Sequence, residues 1–351
     1  MKLKIPSIKS LFKRYFLSFG AISVLVTLMS ACQMVNEDLE ECPKGLSVRF
    51  IYDYNMERAN AFHAQVDCVT LYIFDQTGHL VQKISEDSEV LKDETYRMTL
   101  DIEPGNYSLM AIGGSTCEKN SFDIEEINTR DHISTFTIRL PLDDSRNSNV
   151  NLHDLFYGDL KDVEVKPYEM KEVNLYLVKD TNSVQISLQE IDAPYRVDAS
   201  DYEFYIEADN ELLDSNNMTI STGGMGYNPY DVGNRVAGFV DVSGSNITVD
   251  ESMKVQIAVS EFHVSRLMTN DTRRSFIVVR SKDSGKEIIR IPLIEYMILS
   301  RHNGHNWITS DQEYLDRQNT WNFMFFLKNG KWIKSQISIN NWIIRFNNAD
   351  V

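Results

Sequence analysis

A two-residue alternation of apolar and more polar side chains is the feature that most restricts what this chain can fold into. Leu46, Val48 and Phe50 alternate in this way near the start, and the segment 96–102 repeats the pattern. A period of two places one face of a β-strand against a core. The run at 66–74 is apolar at nearly every position, as in a central strand covered on both faces. Sustained helical periodicity is absent, so the sequence predicts an all-β protein.

Strand-like segments separated by turn residues continue to the C-terminus, which favours β-sandwiches over a parallel α/β sheet. A mature chain of about 320 residues usually divides into two domains. The strand–turn–strand pattern at 71–80 returns at 202–212, which indicates two related sandwiches in tandem. We place the first sandwich at residues 46–180 and the second at residues 181–351.

Turn residues and short apolar runs provide further local predictions. Pro104-Gly105-Asn106 predicts a hairpin that joins the strand at 96–102 to a strand at 107–113. Short helices are predicted only at 124–128 and 312–316.

The N-terminus has the pattern of an export signal. Five basic residues and no acidic ones precede an apolar stretch at 16–29, and small residues lead to Cys32. This order is typical of a secretory signal, and the stretch is shorter than the roughly 18 residues of a spanning helix. The tetrapeptide Met29-Ser30-Ala31-Cys32 resembles the lipobox of bacterial lipoproteins, in which the cysteine is lipidated. We therefore expect a signal peptide at 1–31 and a lipidated tether at 32–45; the alternative is an ordinary signal that ends beside a cysteine.

The charge of the chain restricts its partners. The formal net charge is −16, and removal of the five basic residues of the signal leaves about −21. An acidic surface repels phosphate backbones, which excludes nucleic acid as a partner. It also repels an anionic bilayer, so acyl chains on Cys32 must supply the membrane attachment.

Lipidation of Cys32 leaves Cys42, Cys68 and Cys117 for folding. An oxidising compartment permits one disulfide among these three and leaves one thiol over. We expect Cys42 to pair with Cys117, because Cys68 lies within an apolar strand.

The motifs of catalysis and cofactor binding are missing from the sequence. His302 and His305 form the only close histidine pair, and they lack a third metal ligand, so a polar loop is favoured. No activated nucleophile, calcium-loop spacing or phosphate-binding glycine pattern is present. The sequence therefore predicts a protein that is not an enzyme and has no catalytic, cofactor or metal site.

The tryptophans leave one alternative function open. All four lie in the last fifty residues, at positions 307, 321, 332 and 342. Exposed tryptophans would suit a surface glycan-binding lipoprotein with tandem sandwiches, but their place in alternating strands favours core packing.

Six ordered segments resemble a known family, the fimbrial anchor lipoproteins that form the base of type V pili in Bacteroidetes. They span nearly the whole mature chain. The segments are Cys42-Pro43-Lys44-Gly45-Leu46-Ser47-Val48-Arg49-Phe50, Tyr52-Asp53-Tyr54-Asn55, Val69-Thr70-Leu71-Tyr72-Ile73-Phe74-Asp75 with Gly78, Asp154-Leu155-Phe156-Tyr157-Gly158, Gln312-Glu313-Tyr314-Leu315-Asp316 and Ile337-Ser338-Ile339-Asn340-Asn341-Trp342.

The resemblance implies two tandem transthyretin-like β-sandwiches held at the outer membrane, facing the cell surface, through lipid on Cys32. It implies that the chain attaches a fimbria, ends or limits its growth, and contacts a fimbrillin by strand exchange or through a sandwich interface. In the last strand, Trp342, Ile344 and Phe346 alternate. These three residues fill either a groove in a partner or the core of the second sandwich, and the second arrangement is favoured.

Overall fold

β-Strands carry most of the regular structure in the computed structural model, which confirms the all-β prediction. The structure describes residues 45–117, 121–237, 240–243, 246–249, 255–271, 274–301, 305, 307–340 and 342–345. The strands of the first half are β1 (Gly45–Ile51), β2 (Cys68–Asp75), β3 (Leu80–Glu86), β4 (Met98–Leu100), β5 (Gly105–Gly114), β6 (Asp123–Ile124), β7 (Thr137–Arg139), β8 (Asn147–Ser148), β9 (Leu155–Val165), β10 (Met170–Tyr176) and β11 (Val178–Lys179).

The second half continues with strands of similar length. They are β12 (Asn182–Glu190), β13 (Tyr202–Ala208), β14 (Leu212–Asp214), β15 (Thr219–Ile220), β16 (Met225–Tyr227), β17 (Asp231–Ala237), β18 (Val240–Ser243), β19 (Asn246–Val249), β20 (Val255–Val264), β21 (Phe276–Ser281), β22 (Glu287–Pro292), β23 (Thr320–Lys328), β24 (Lys331–Ile339) and β25 (Trp342–Arg345). Among the described residues, the α-helices are α1 (Phe62–Gln65), α2 (Leu293–Arg301) and α3 (Asp311–Arg317).

Two sheets of the first half stack on each other, with strand orders β10-β1-β4 and β11-β9-β5-β2-β3. β1 begins at Gly45, where φ is +110° and a side chain would run into the main-chain carbonyl of Leu100. Only glycine adopts this left-handed conformation without strain. β2 lies between β3 and β5 and is buried along nearly its whole length, which confirms the prediction of a central strand at 66–74.

The predicted hairpin across Pro104-Gly105-Asn106 is wrong. β4 pairs with β1 in one sheet, whereas β5 pairs with β2 in the other. The chain therefore crosses from sheet to sheet at this turn. Turn residues indicate a reversal of direction, but they do not state which strand becomes the neighbour.

The second half forms a six-stranded sheet, β17-β20-β12-β23-β24-β25, and a five-stranded sheet, β22-β21-β13-β16-β8. Val184, Ile186 and Leu188 of β12 are at most 1% exposed, as their alternation predicts. β12 runs parallel to β23 and antiparallel to β20 at the centre of the larger sheet.

One of the two hydrophobic clusters contains residues of both halves, and it lies against one face of the sheet that contains β2. Leu71 and Ile73 face the core of the first sandwich, while Tyr72 and Phe74 join a second cluster that includes Phe204 and Trp321. The described strands belong to one compact unit that begins at Gly45. The predicted domain boundary at residue 180 stays a prediction.

Strands also cross between the halves. β7 pairs with β14, and β8 pairs with β16, so the second half completes its sheets with segments from the first. This pairing places residues of the segment 123–148 beside residues of the segment 212–227.

Of the two predicted helices, one is confirmed and one is wrong. α3 covers the prediction at 312–316. The segment 124–128 contains the end of the short strand β6 and an irregular connection instead. α2 was not predicted, because its apolar residues extend the run of β22 without a break in sequence.

Within the described residues, no helix is both long enough and apolar enough to cross a membrane.

Candidate functional site

α3 lies where the two halves meet, and its N-terminus is built by a local sequence motif. The hydroxyl of Ser310 accepts a hydrogen bond from the N–H of Glu313, at 3.1 Å. Glu313 in turn accepts bonds from the N–H and hydroxyl of Thr309, at 3.0 and 2.6 Å. This is close to a capping box, in which side chains satisfy the free donors of the first turn. The Thr309 hydroxyl and then Arg317 lower the pKa of Glu313 to about 2.

Arg317, at the end of α3, ties the helix to the first half. Its guanidinium donates to the carbonyls of Asp53 and Asn55, at 3.2 and 3.3 Å. The same group lies 4.1 Å from the centre of the Tyr54 ring, within cation–π range. Arg317, the residue directly after the family segment 312–316, therefore contacts the family segment 52–55.

Arg266, which follows β20, is the cation of a buried network under α3. It donates to both carboxylate oxygens of Asp316, at 3.2 and 3.1 Å, and to the carbonyl of Asn217, at 2.8 Å. Its Nε lies 3.8 Å from a carboxylate oxygen of Asp180. Gln312 completes the network with a 2.8 Å bond to Asp316.

Asp180 is the most deeply buried acid of this network. It is 0% exposed, and the Asn217 amide donates to one of its oxygens at 2.9 Å. Burial raises the pKa of Asp180 to about 7, against the opposing effect of Arg266. Burial likewise raises the pKa of Asp316. The arrangement cross-links strands and helix; it brings together no nucleophile and base.

A second polar cluster joins the crossing strands. Glu211 binds Arg139 of β7 at 2.6 Å and Arg146 at 2.8 Å. Asp209 accepts a 2.6 Å bond from Arg274. Burial alone would raise the pKa of both carboxyl groups, but their hydrogen bonds outweigh it and hold each pKa below its usual value.

The predicted pairing of Cys117 with Cys42 is wrong, because Cys117 is bonded to Cys68. Their Cα atoms are 5.6 Å apart, within the usual range for a disulfide. Cys68 stands opposite Gly114 where β2 pairs with β5, and the chain turns back to place Cys117 beside it. Cys68 is buried as expected, but burial in a strand did not prevent pairing. Cys42 and Cys32 lie outside the described residues.

The terminal strand pairs with this protein's own sheet. β25 runs antiparallel to β24, with Trp342 opposite Ile339 and Ile344 opposite Ile337, at the edge of the six-stranded sheet. Phe346 lies outside the described residues. The role of Trp342, Ile344 and Phe346 as core or strand-exchange residues stays a prediction.

The three tryptophans whose side chains the structure describes do not form one surface. Trp321 is fully buried and packs edge-on against Tyr314, with ring centres 5.4 Å apart. Trp332 packs against Phe325. Trp307 is 39% exposed, but the guanidinium groups of Arg58 and Arg317 lie 5.0 and 5.7 Å from its ring centre.

The described part of the chain contains no group of three His, Cys, Asp or Glu side chains that would hold a metal ion. His302 lies outside it, and His305 stacks on Tyr314 with ring centres 5.5 Å apart. Sequence reasoning missed Asp180, Arg266 and Arg317. The available signal was the capping pattern Ser310-x-x-Glu313, which marks the start of the helix that joins them.

Comparison of the sequence and fold with known proteins identifies the family to which this chain belongs. A family model described as "Fimbrillin-A associated anchor proteins Mfa1 and Mfa2" matches residues 39–348. The minor fimbrium anchoring subunit Mfa2 of Porphyromonas gingivalis is 21% identical over 297 residues, which cover 83% of each chain.

Two solved structures from Bacteroides thetaiotaomicron are similar in sequence and fold. A candidate adhesin is 37% identical with a TM-score of 0.78, over 88% of this chain and 100% of that one. A candidate polysaccharide-binding protein is 30% identical with a TM-score of 0.73, over 87% and 99%. The fold and these matches define a structural subunit of the fimbrial anchor class. The chain belongs to the family of fimbrillin-A associated anchor proteins Mfa1 and Mfa2.

Proposed function

We propose that this protein is the lipid-anchored base subunit of a surface fimbria and that it limits the growth of the polymer. The family match over residues 39–348 carries the proposal, because it covers every described strand up to β25. The lipid on Cys32 would hold the chain in the outer membrane, facing the cell surface. A fimbrillin would bind the folded part by strand exchange or through a sandwich interface.

The polar joint under α3 supports a structural role. Arg266 and Arg317 connect α3 to segments that are far apart in sequence, and much of their hydrogen bonding is shielded from water. Such a joint makes the two halves one body, which suits a subunit that connects a membrane to a polymer.

Substitution of Cys32 tests the membrane attachment. In a strain that lacks the gene, the wild-type chain should retain fimbriae on the cells, whereas Cys32→Ala should release them into the medium. The matched control is Cys42→Ala, which removes the nearby cysteine that is not at the cleavage site. The measurements are cell-bound against shed fimbriae and incorporation of a labelled fatty acid.

Two outcomes would contradict the proposal. If the gene deletion leaves fimbriae attached and unchanged in length, the anchoring function is wrong. If Cys32→Ala still incorporates the label and stays with the membrane, the lipid assignment is wrong.

Glycan binding is a second candidate. It is favoured by the similarity to a candidate polysaccharide-binding protein, which covers 87% of this chain. Trp307 is the most exposed of the tryptophans whose side chains the structure describes, at 39%. Calorimetry with an oligosaccharide panel on the wild type and on Trp307→Ala distinguishes the two functions.

A further inference from the structure

A groove runs along β13 at the point where its neighbour β16 ends. Its volume is about 760 Å³. β16 pairs only with residues 206–208 of β13, so the segment 202–205 has β21 on one side and, among the described residues, no strand on the other. The side chains that concern the argument are Tyr202, Tyr205, Pro229, Val232, Arg280 and Lys282.

Pro229 explains why the pairing stops. If the register of Ile206 with Tyr227 continued, Pro229 would stand opposite Phe204. Proline has no N–H and cannot donate to a neighbouring strand. The chain leaves the sheet there, and the N–H of Tyr230 already donates to Glu261 of β20, at 2.9 Å.

The interrupted pairing leaves the main chain of Phe204 without a partner. The main-chain N–H of Lys282 donates to the carbonyl of Asp201, at 2.9 Å. In an antiparallel pair, every second residue exchanges main-chain hydrogen bonds with the facing strand, so this bond shows which residues of β13 bond to β21. The main-chain groups of Glu203 and Tyr205 therefore point toward β21, and those of Phe204 point into the groove. None of the hydrogen bonds between described residues reaches them. Phe204 is only 4% exposed, and unpaired main-chain groups at such depth are unfavourable.

The charges around the groove are nearly balanced. Glu203 lies 3.5 Å from Arg280, and Glu207 binds Arg290 at 2.5 Å. Lys282 lines the groove and makes no ion pair with any residue that the structure describes, so its ammonium group can bind a ligand. An acidic group on a ligand would complement it.

We propose that this groove binds an extended peptide segment of a partner fimbrial subunit, which adds a short strand to β13 at Phe204. The proposal rests on the anchoring function proposed above and assigns it a surface. The open main chain favours a peptide, because a strand places a C=O and an N–H at the spacing of the N–H and C=O of Phe204 and directs alternate side chains into the groove. Apolar side chains of the segment would lie near Val232, and an acidic residue would face Lys282.

The test is a pair of tryptophan substitutions on β17. Val232 lines the groove and is 44% exposed; Val236 lies on the same strand, is 61% exposed and does not line the groove. We expect Val232→Trp to weaken binding of the full-length, detergent-purified chain to fimbriae sheared from the same strain by about tenfold or more, since two main-chain hydrogen bonds are lost. Val236→Trp should bind as the wild type does.

Amide hydrogen exchange provides an independent measurement. Addition of the sheared fimbriae should slow the exchange of the peptide that contains Phe204, whereas the edge strand β3 should exchange as before. If Val232→Trp lowers the melting temperature, Lys282→Glu replaces it, and it should weaken binding by replacing the ammonium group with a carboxylate that repels an acidic residue of the segment.

Several results would overturn the proposal. Unchanged fimbrial binding by a folded groove variant would do so, as would unchanged exchange at Phe204. Loss of oligosaccharide binding in Val232→Trp, with fimbrial binding intact, would assign the groove to a sugar. If deletion of the gene releases fimbriae but Val232→Trp cells keep them, the anchoring function stands and the groove assignment fails. If the wild-type chain binds no fimbriae, both fail.

Discussion

Asp180 shows how a single residue can be structural without any sign in the sequence. It follows Lys179 and precedes Thr181, so its neighbours are those of a solvated connection at the predicted domain boundary. In the fold it is fully buried beside Asn217 and Arg266. Its partners, Asn217 and Arg266, come from distant segments of the chain, and no local sequence pattern predicts them.

The titration of Asp180 should make part of the stability depend on pH. Because its pKa rises from 3.8 to about 7 on folding, the folded chain holds the proton more tightly than the unfolded chain does. This contribution to the free energy of unfolding is fully present below about pH 4 and is lost as the pH rises through about 7. In denaturant titrations, the stability of the wild type relative to Asp180→Asn should fall across this window by up to ~1.4 kcal/mol per pH unit.

A control substitution separates this effect from a general loss of charge. Asp192→Asn removes a half-exposed carboxyl group that lies 3.8 Å from Lys328. The pH dependence that Asp180→Asn shows beyond that of Asp192→Asn belongs to Asp180. If the two variants do not differ across this window, Asp180 does not titrate in it.

Among the elements, the apolar periodicity predicted where strands lie but not which strands pair with each other. β2 and β12 lie where the apolar pattern predicts them, because a strand face that is buried in a core consists of apolar side chains. The partners of β4 and β5 were not predictable, since a turn states nothing about which sheet the next strand joins. The same limit explains the disulfide: only the pairing of β2 with β5 brings Cys68 to Cys117.

Removal of the disulfide should loosen the ends of β2 and β5. Cys117→Ser opens a cross-link between residues 49 apart in sequence, and we expect it to lower the free energy of unfolding by about 2–4 kcal/mol. Cys42→Ser is the matched control and should change little. Peptide mapping of the oxidised chain should recover Cys68 joined to Cys117; a Cys42–Cys117 peptide would contradict the structure.

For the whole molecule, the sheet that contains β2 makes the folding of each half depend on the other, because its two faces belong to two different hydrophobic clusters. Two related sandwiches were predictable from a repeated strand–turn–strand pattern. The sequence did not predict that the outer face of the first sandwich is part of the core of the second. Apolar residues on both faces of a strand indicate that the strand is buried, but they do not indicate which element covers it. Tyr72 and Phe74 on β2, and Met110 and Ile112 on β5, show this second contact.

We therefore expect the mature chain to unfold in one cooperative transition and the fragment 32–180 not to fold on its own. The fragment would expose the face that carries Tyr72, Phe74 and Met110, and it lacks the strands that pair with β7 and β8. Near-ultraviolet circular dichroism and binding of a hydrophobic dye report this state. A fragment with a sharp transition and no dye binding would instead support two independent domains.

The position of β1 has a mechanical consequence. Gly45, the first described residue, is also the first residue of β1, so tension applied to the chain at Gly45 acts on β1. Seven consecutive residues of β1 are in register with β10, parallel to it, and β4 holds the other side. Hydrogen bonds cross between strands, so tension along the strand axis loads the pairs together in shear rather than peeling them one by one. β1 is thus a clamp whose strength appears as rupture force, a quantity that equilibrium unfolding does not measure.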